Sequence, residues 1–389
     1  MTEPARILLR DVVDAQPEGE LERRLGEGRP LRVKLTIDPV APGIHLGHTV
    51  ALRKLREFQD HGHVGVLVLG DYTARVGDPS GAAPHRGLDP AAIDRNAEVV
   101  EREALALLDP DRTEVRRNGE WLDMAMEELF RLARTTTVAQ LLEHEGFARR
   151  HADATPISIL ELVYPLLRGY DSVQVRADVE VGGTDQAFNL RLAREVQAAY
   201  GAAPQVALTV PVLAGTDGGR PMDAAFANHI GVTEPPEEIF GKTMSIPDEA
   251  MAAYYGLLLD REPDAARHPG ELKRGLAREL AALFGGGEEA GRSAEAHFDR
   301  LHVSRELPTE VEEAALPPGD PVHLPEALAG AFGISRSEAR RLLAGGGVKV
   351  DGEPLDGARL DVPSAELEGH VVQLGKRRFK RLVAAADSR

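Results

Sequence analysis

The sequence predicts an α/β protein with a doubly wound parallel sheet, then a helical middle domain and a small C-terminal α+β domain. Three observations lead there. Between about residues 30 and 230, strand-like segments at 31–37, 64–69, 177–181 and 205–210 alternate with segments of helical period, as in parallel strands joined by crossover helices. Residues 247–318 are rich in Ala and Glu at helical spacing, with a break at Gly285-Gly286-Gly287. The final stretch combines one helical segment with short strand and turn signals. The expected domains are 1–235, with a mostly helical insertion at about 83–170, then 236–320 and 321–389.

The elements follow in order. Strand 31–37 ends at Asp38-Pro39, and His45-Leu46-Gly47-His48 opens a helix over 46–61, where Leu46, Val50, Leu52, Leu55 and Phe58 recur at roughly helical spacing. Strand 64–69 leads to Gly77-Asp78-Pro79-Ser80-Gly81. Strand 177–181 leads through Gly182-Gly183 to a helix over 184–200. Leu316-Pro-Pro-Gly-Asp-Pro321 reads as a linker. Beyond it come a helix at 335–344, a Gly turn, a strand at 348–350, the turn Asp351-Gly352, a strand at 371–374 and a basic tail.

Composition narrows the function. A chain of 389 residues, 42% hydrophobic, is large enough for two or three domains with a proper core. The absence of Cys excludes a disulfide framework or thiolate metal site and fits a reducing cytoplasm. No apolar run approaches membrane-spanning length and no signal-peptide core opens the chain, so a cytoplasmic protein without a membrane partner is expected. A formal net charge of −17 opposes indiscriminate attraction to nucleic acid, so any RNA contact needs a local basic patch. His63, His85 and His151 read as surface or structural residues, and no metal cluster is expected.

Ligands of a doubly wound sheet sit at the carboxyl ends of its strands. His45 and His48 lie at a helix start, where backbone N–H groups and the dipole favour phosphate. The tetrapeptide alone also fits a capped helix with incidental histidines. The order strand, Asp-Pro, His-Leu-Gly-His, strand, Gly-Asp-Pro-Ser-Gly favours a nucleotide site. Further on stand Tyr164-Pro-Leu-Leu-Arg-Gly-Tyr170-Asp171, Val181-Gly-Gly-Thr-Asp185-Gln186, Asn228-His-Ile-Gly231 and Phe240-Gly-Lys-Thr-Met-Ser-Ile-Pro-Asp248. With these motifs the chain resembles class I aminoacyl-tRNA synthetases, and among them the bacterial tyrosyl-tRNA synthetase family, nearly from end to end. Its last stretch is similar to an S4 RNA-binding domain.

The resemblance implies a Rossmann-like catalytic domain, a homodimer, ATP or an aminoacyl-adenylate, Mg2+, a tyrosine-like small molecule and tRNA. It assigns Asp38, His45, Gly47, His48, Asp185 and Gln186 to the nucleotide, with His45 towards the γ-phosphate and His48 towards the ribose or adenine. Asp185 alone would also read as a helix cap. Asp171 would receive the phenol. Asp78, Tyr164 and Gln186 complete the substrate site, and His45, His48 and Arg86 carry catalysis. Arg336, Arg340, Arg341, Lys349, Lys376, Arg377 and Arg378 would contact RNA through phosphates, where a solvated basic tail is the bland alternative.

Departures from the family pattern cluster. Arg168 stands where the family carries a Gln that helps bind the α-ammonium. A guanidinium repels an ammonium and accepts no hydrogen bond from it. Either Arg168 turns away to Asp171, Glu161 or Asp178, or the ligand presents a carboxylate or another acceptor there. Pro221-Met222-Asp223-Ala224-Ala225 occupies the place of the KMSKS loop, so both lysines are missing. Val40, Ala82 and Thr36 also depart, which leaves only Arg86, joined by Arg220 or His85, near the pyrophosphate end. If each lost basic group contributes about 2 kcal/mol, losing three slows activation roughly 10⁴-fold. Three readings follow: a paralogue repurposed for acyl transfer or ligation with weak activation, an ordinary tyrosine–tRNA ligase with an unusual loop, or a non-catalytic RNA-binding regulator.

Overall fold

The computed structural model describes residues 3–77, 89–302, 311–357, 359–375 and 378–384. The chain forms two compact units, Met1–Gly291 and Arg292–Arg389.

Six strands make one sheet among the described residues of the first unit: β1 (Asp14–Gln16), β2 (Arg32–Ile37), β3 (Val64–Leu69), β4 (Thr113–Arg117), β5 (Val179–Gly183) and β6 (Val206–Val210). Their order is β1-β6-β5-β2-β3-β4. The last five are parallel, and β1 closes one edge antiparallel to β6. β3 and β6 are almost wholly buried, as strands covered on both faces should be. β2 buries Lys34 completely, and its ammonium pairs at 2.9 Å with Glu180, its register partner on β5.

Two strands escape the hydrophobic pattern. β1 has three residues, and β4 is the polar run Thr-Glu-Val-Arg-Arg, partly exposed throughout at the sheet edge. The insertion expected to be mostly helical therefore also contributes a strand.

The chain runs from β2 outward to β3 and β4, then returns to β5 on the other side of β2. This reversal opens a crevice beyond the carboxyl ends of β2 and β5. Three helices flank it. Leu46–Asp60 buries Leu46, Val50, Leu52, Leu55 and Phe58. Ile159–Gln174 starts at a capping box of Ser158 and Glu161 and buries Tyr164 through Ser172. Ala187–Ala199 packs so closely on it that a Cβ on Gly169 would lie 2.8 Å from Val196.

The second unit has its own core, including Leu316, Val322, Leu328, Leu343, Val372 and Leu382. Its larger sheet runs Glu353–Pro354, Val348–Val350, Val371–Leu374, Arg378–Val383, Glu313–Ala315. Helices Leu324–Phe332 and Arg336–Ala344 complete an α+β fold. The segment read as a linker begins inside this core: Leu316 is buried and donates its N–H to Val383 O at 2.8 Å. Pro and Gly content mimicked a linker where the chain turns between two core elements. No described helix is long and apolar enough to cross a membrane.

Candidate active site

A cleft of about 610 Å³ opens at the crevice, with Asp38, His45, His48, Tyr164, Arg168 and Gln186 among its walls. The 220–234 segment closes the other side.

The His45 segment is built into the fold. Leu46 N–H donates to Ile230 O and Val232 N–H to Ile44 O, each at 2.9 Å, and His45 bridges Gly231. Glu103, on helix Pro90–Leu105, accepts from Ile44 N–H at 2.6 Å and from the Thr233 hydroxyl at 2.9 Å. One buried carboxylate thus fixes both sides of the cleft mouth. The His45 and His48 rings stack with centroids 3.7 Å apart. His45 N–H donates to His48 Nδ1 at 3.3 Å, which places the proton of neutral His48 on Nε2. Burial depresses both imidazoles. His48 is lowered to about 4 against the opposing charge of Asp223, and His45 falls well below its ordinary value through burial and its neighbours His48 and His229. At neutral pH both are uncharged hydrogen-bonding groups.

The acid end centres on Asp38. Its carboxylate accepts from Thr73 Oγ1 at 2.8 Å, Tyr164 OH at 3.0 Å and Arg168 Nη1 at 3.3 Å. β3 must be followed by glycine here, because a Cβ on Gly70 would sit 1.8 Å from Asp38 Oδ1. Arg168 turns to Asp38 and to none of the three carboxylates expected as its alternatives. Each of those is engaged: Glu161 by Arg150, Asp178 by Arg29 and Arg24, and Asp171 by Trp121 Nε1 at 2.9 Å and Asn118 Nδ2 at 3.3 Å.

Asp171 has no solvent exposure and is not a wall of the cleft. Burial pushes its carboxyl up to about 6, against the pull of Lys34, Arg168, Trp121 and Asn118. Asn118 also donates to Thr73 Oγ1 at 2.9 Å, so a hydrogen-bonded chain joins Asp171 to Asp38. Sequence reasoning missed Thr73, Asn118 and Trp121. The available signals were Asn118-Gly119 behind a polar run and the only Trp of the chain.

Asp185 is exposed, and Gln186 donates to it at 3.2 Å while accepting from Asn189 at 2.9 Å. Gly47 also lines the cleft, close to His45 and Met222. Across it, Asn228 ties down the 221–225 loop, donating to Asp217 and to Pro221 O, both at 3.1 Å. Asp223 caps the short turn 224–226 through Ala225 N–H at 2.8 Å. Arg220 pairs with Asp217 at 2.9 Å and lies 4.5 Å over the Phe226 ring. Asp78, Ala82, His85 and Arg86 lie outside the described residues. Among the described ones no group of three His, Asp or Glu could hold a metal ion.

In the second unit Arg336, Arg340 and Arg341 are exposed on one helix, and Arg336 is already paired with Glu326 at 2.6 Å. Lys349 is register partner to Gln373, and Arg378 lies 6.0 Å from the Phe332 ring. Lys376 and Arg377 lie outside the described residues.

Comparison with known proteins adds independent findings. The profile of tRNA synthetases class I (W and Y) matches residues 26–302, and the S4 domain profile matches 331–362. Tyrosine–tRNA ligase of Moorella thermoacetica is 44% identical over 97% of this chain and 95% of its own. That of Thermotoga maritima is 42% identical over 98% of this chain and 97% of its own. Among solved structures, tyrosyl-tRNA synthetase of Archaeoglobus fulgidus, complexed with L-tyrosine, superposes with TM-score 0.62 and 26% identity, over 75% of this chain and 99% of that one.

Proposed function

The chain belongs to the class I tRNA synthetases of the tryptophan and tyrosine type, and on that premise we propose that it joins a para-hydroxyphenyl carboxylic acid to an acceptor hydroxyl, as tyrosine–tRNA ligases do, with tRNA the acceptor. The carrying observation is the cleft at the sheet reversal, where the stacked His45 and His48 face Gln186, Tyr164 and Arg168. Whole-length likeness to tyrosine–tRNA ligases supports tyrosine as the acid and tRNA as the acceptor.

ATP supplies the activating group. The acid's carboxylate attacks the α-phosphorus, the bond to pyrophosphate breaks, and the acyl group then passes to the acceptor with release of AMP. In this reading Asp38, Gly47, Asp185 and Gln186 bind the nucleotide beside His45 and His48. The neutral imidazoles donate hydrogen bonds to phosphate and ribose, and Asp171 receives the phenol once the ligand opens a path to it. Mg2+ would travel with the phosphates. A catalytic domain to about residue 235, a helical domain after it and an S4-like domain that already includes strand Glu313–Ala315 belong to the same reading, as do a homodimer and a cytoplasmic location.

AMP formation measured with tRNA, ATP and 4-hydroxyphenyl acids tests this. Acid-dependent AMP release is expected. No release with any such acid, with or without tRNA, overturns it.

A second reading, a specialised paralogue with weak activation, is favoured by the 221–225 loop. There Asp223 faces His48, and the cation Arg220 is bound to Asp217. On this reading tyrosine-dependent pyrophosphate exchange falls well below the roughly 1–10³ s⁻¹ usual for enzymes. Exchange within that range refutes it and leaves an ordinary tyrosine–tRNA ligase.

A further inference from the structure

Lys34 places an ammonium in the middle of β2 with no solvent exposure. Its three N–H donors are all used: on Glu180 at 2.9 Å, on Ser172 Oγ at 2.7 Å and on the backbone carbonyl of Arg168 at 3.1 Å. The last two lie one turn apart on helix Ile159–Gln174, and Asp171 stands between them in the chain. Lys34 therefore grips the helix on both sides of that carboxylate. Glu180 is held in turn by Ser172 Oγ at 3.2 Å and by Gln205 Nε2. A buried ion pair adds little stability over apolar side chains of similar size, so cohesion alone does not account for a lysine here.

The surrounding charges show where its effect falls. Arg168 is paired with Asp38 and Lys34 with Glu180, which leaves Asp171 as the odd carboxylate of this buried group. The two donors that reach it, Trp121 Nε1 and Asn118 Nδ2, are neutral. Burial drives Asp171 towards its acid form, and Lys34 opposes that most strongly, ahead of Arg168 and the two hydrogen bonds. We propose that Lys34 is the positioning residue for Asp171: from behind the site it fixes the carboxylate's place on the helix and holds its negative charge, and so sets how strongly the site prefers a phenol to a bare phenyl ring. The preference rests on the reading that Asp171 receives the phenol.

Two substitutions on opposite sides of the ion pair test this. Infrared difference spectra of the full chain follow the Asp171 carboxyl, with Asp171→Asn marking the band that belongs to it. Lys34→Met is expected to raise its titration midpoint by about one pH unit, because burial is then less opposed. Glu180→Gln is expected to lower it, because Lys34 keeps its charge and loses its counter-ion. A merely structural pair would not give shifts of opposite sign. No shift, or shifts in one direction, overturn the proposal. Should Lys34→Met not fold, Glu180→Gln decides alone. Its new amide can donate to Gln205 Oε1, which is buried without a partner among the described residues, and an unchanged or raised midpoint overturns the proposal. Calorimetry at neutral pH with tyrosine and phenylalanine reads the preference. It is expected to fall about tenfold in Lys34→Met, since a charged acceptor makes the stronger hydrogen bond. An undiminished preference overturns the specificity role. If the unaltered protein does not prefer tyrosine, the acid-site reading fails, while the spectra still decide whether Lys34 governs Asp171.

Discussion

At the scale of single residues, the site holds two titrating groups whose effects on stability run in opposite directions through the same pH window. His48 is lowered from 6.5 to about 4 by burial, so its contribution to stability is present above 6.5 and is lost as the pH falls through 4. Asp171 is raised from 3.8 to about 6, so its contribution is complete below 3.8 and is lost as the pH rises through 6. A wild-type stability profile hides both. Urea midpoints between pH 4 and 7 for single variants should separate them. Relative to wild type, His48→Gln is expected to gain stability as the pH falls, and Asp171→Asn to gain it as the pH rises. A pH-independent difference for either variant would mean that the folded environment does not shift that group.

At the scale of elements, the β3 end sets the acid site. Gly70→Ala would drive a methyl into Asp38 Oδ1 and Thr73 Oγ1. Overpacking of this kind costs about 1–3 kcal/mol, and urea unfolding should show a loss near the upper end. A loss under about 0.5 kcal/mol, the level of an ordinary surface change, would mean that Asp38 is free to move. What the sequence disclosed depends on the same geometry. β3 and β6 announce themselves because burial on both faces forces nearly continuous apolar runs, and β2 by the alternation of Val33, Leu35 and Ile37. β1 and β4 do not, because short or polar edge strands carry no such pattern. His45, His48, Tyr164, Arg168 and Gln186 stand in recognisable motifs. Asn118 and Thr73 act only because β4 pairs with β3 in the register Leu69↔Arg117, which brings Asn118 beside Tyr72 and Thr73. No local pattern encodes that pairing. The partner of Arg168 was equally hidden, since Asp38 lies 130 residues away in the chain.

For the whole molecule, the formal charge of −17 makes any RNA binding a local affair. Arg340 and Arg341 are exposed beside a buried Ala339 and Leu343, whereas Arg336 is occupied by Glu326. In the intact chain, Arg340→Gln with Arg341→Gln should therefore weaken tRNA binding and flatten its salt dependence. The log–log slope should fall by about 0.9 for each duplex phosphate that the variant no longer neutralises. Arg336→Gln should change it less. Equal slopes in all three proteins would place the RNA surface elsewhere.

The bond from Trp121 to Asp171 has an optical consequence. Trp121 is the only tryptophan in the chain, so emission excited beyond the tyrosine band comes from one indole whose N–H is held by that carboxylate. Ionisation of Asp171, or a ligand competing for its oxygens, changes the electric field across the ring and so the colour and intensity of its light. The unlabelled protein carries its own site-specific fluorophore, suited to stopped-flow recording of ligand arrival.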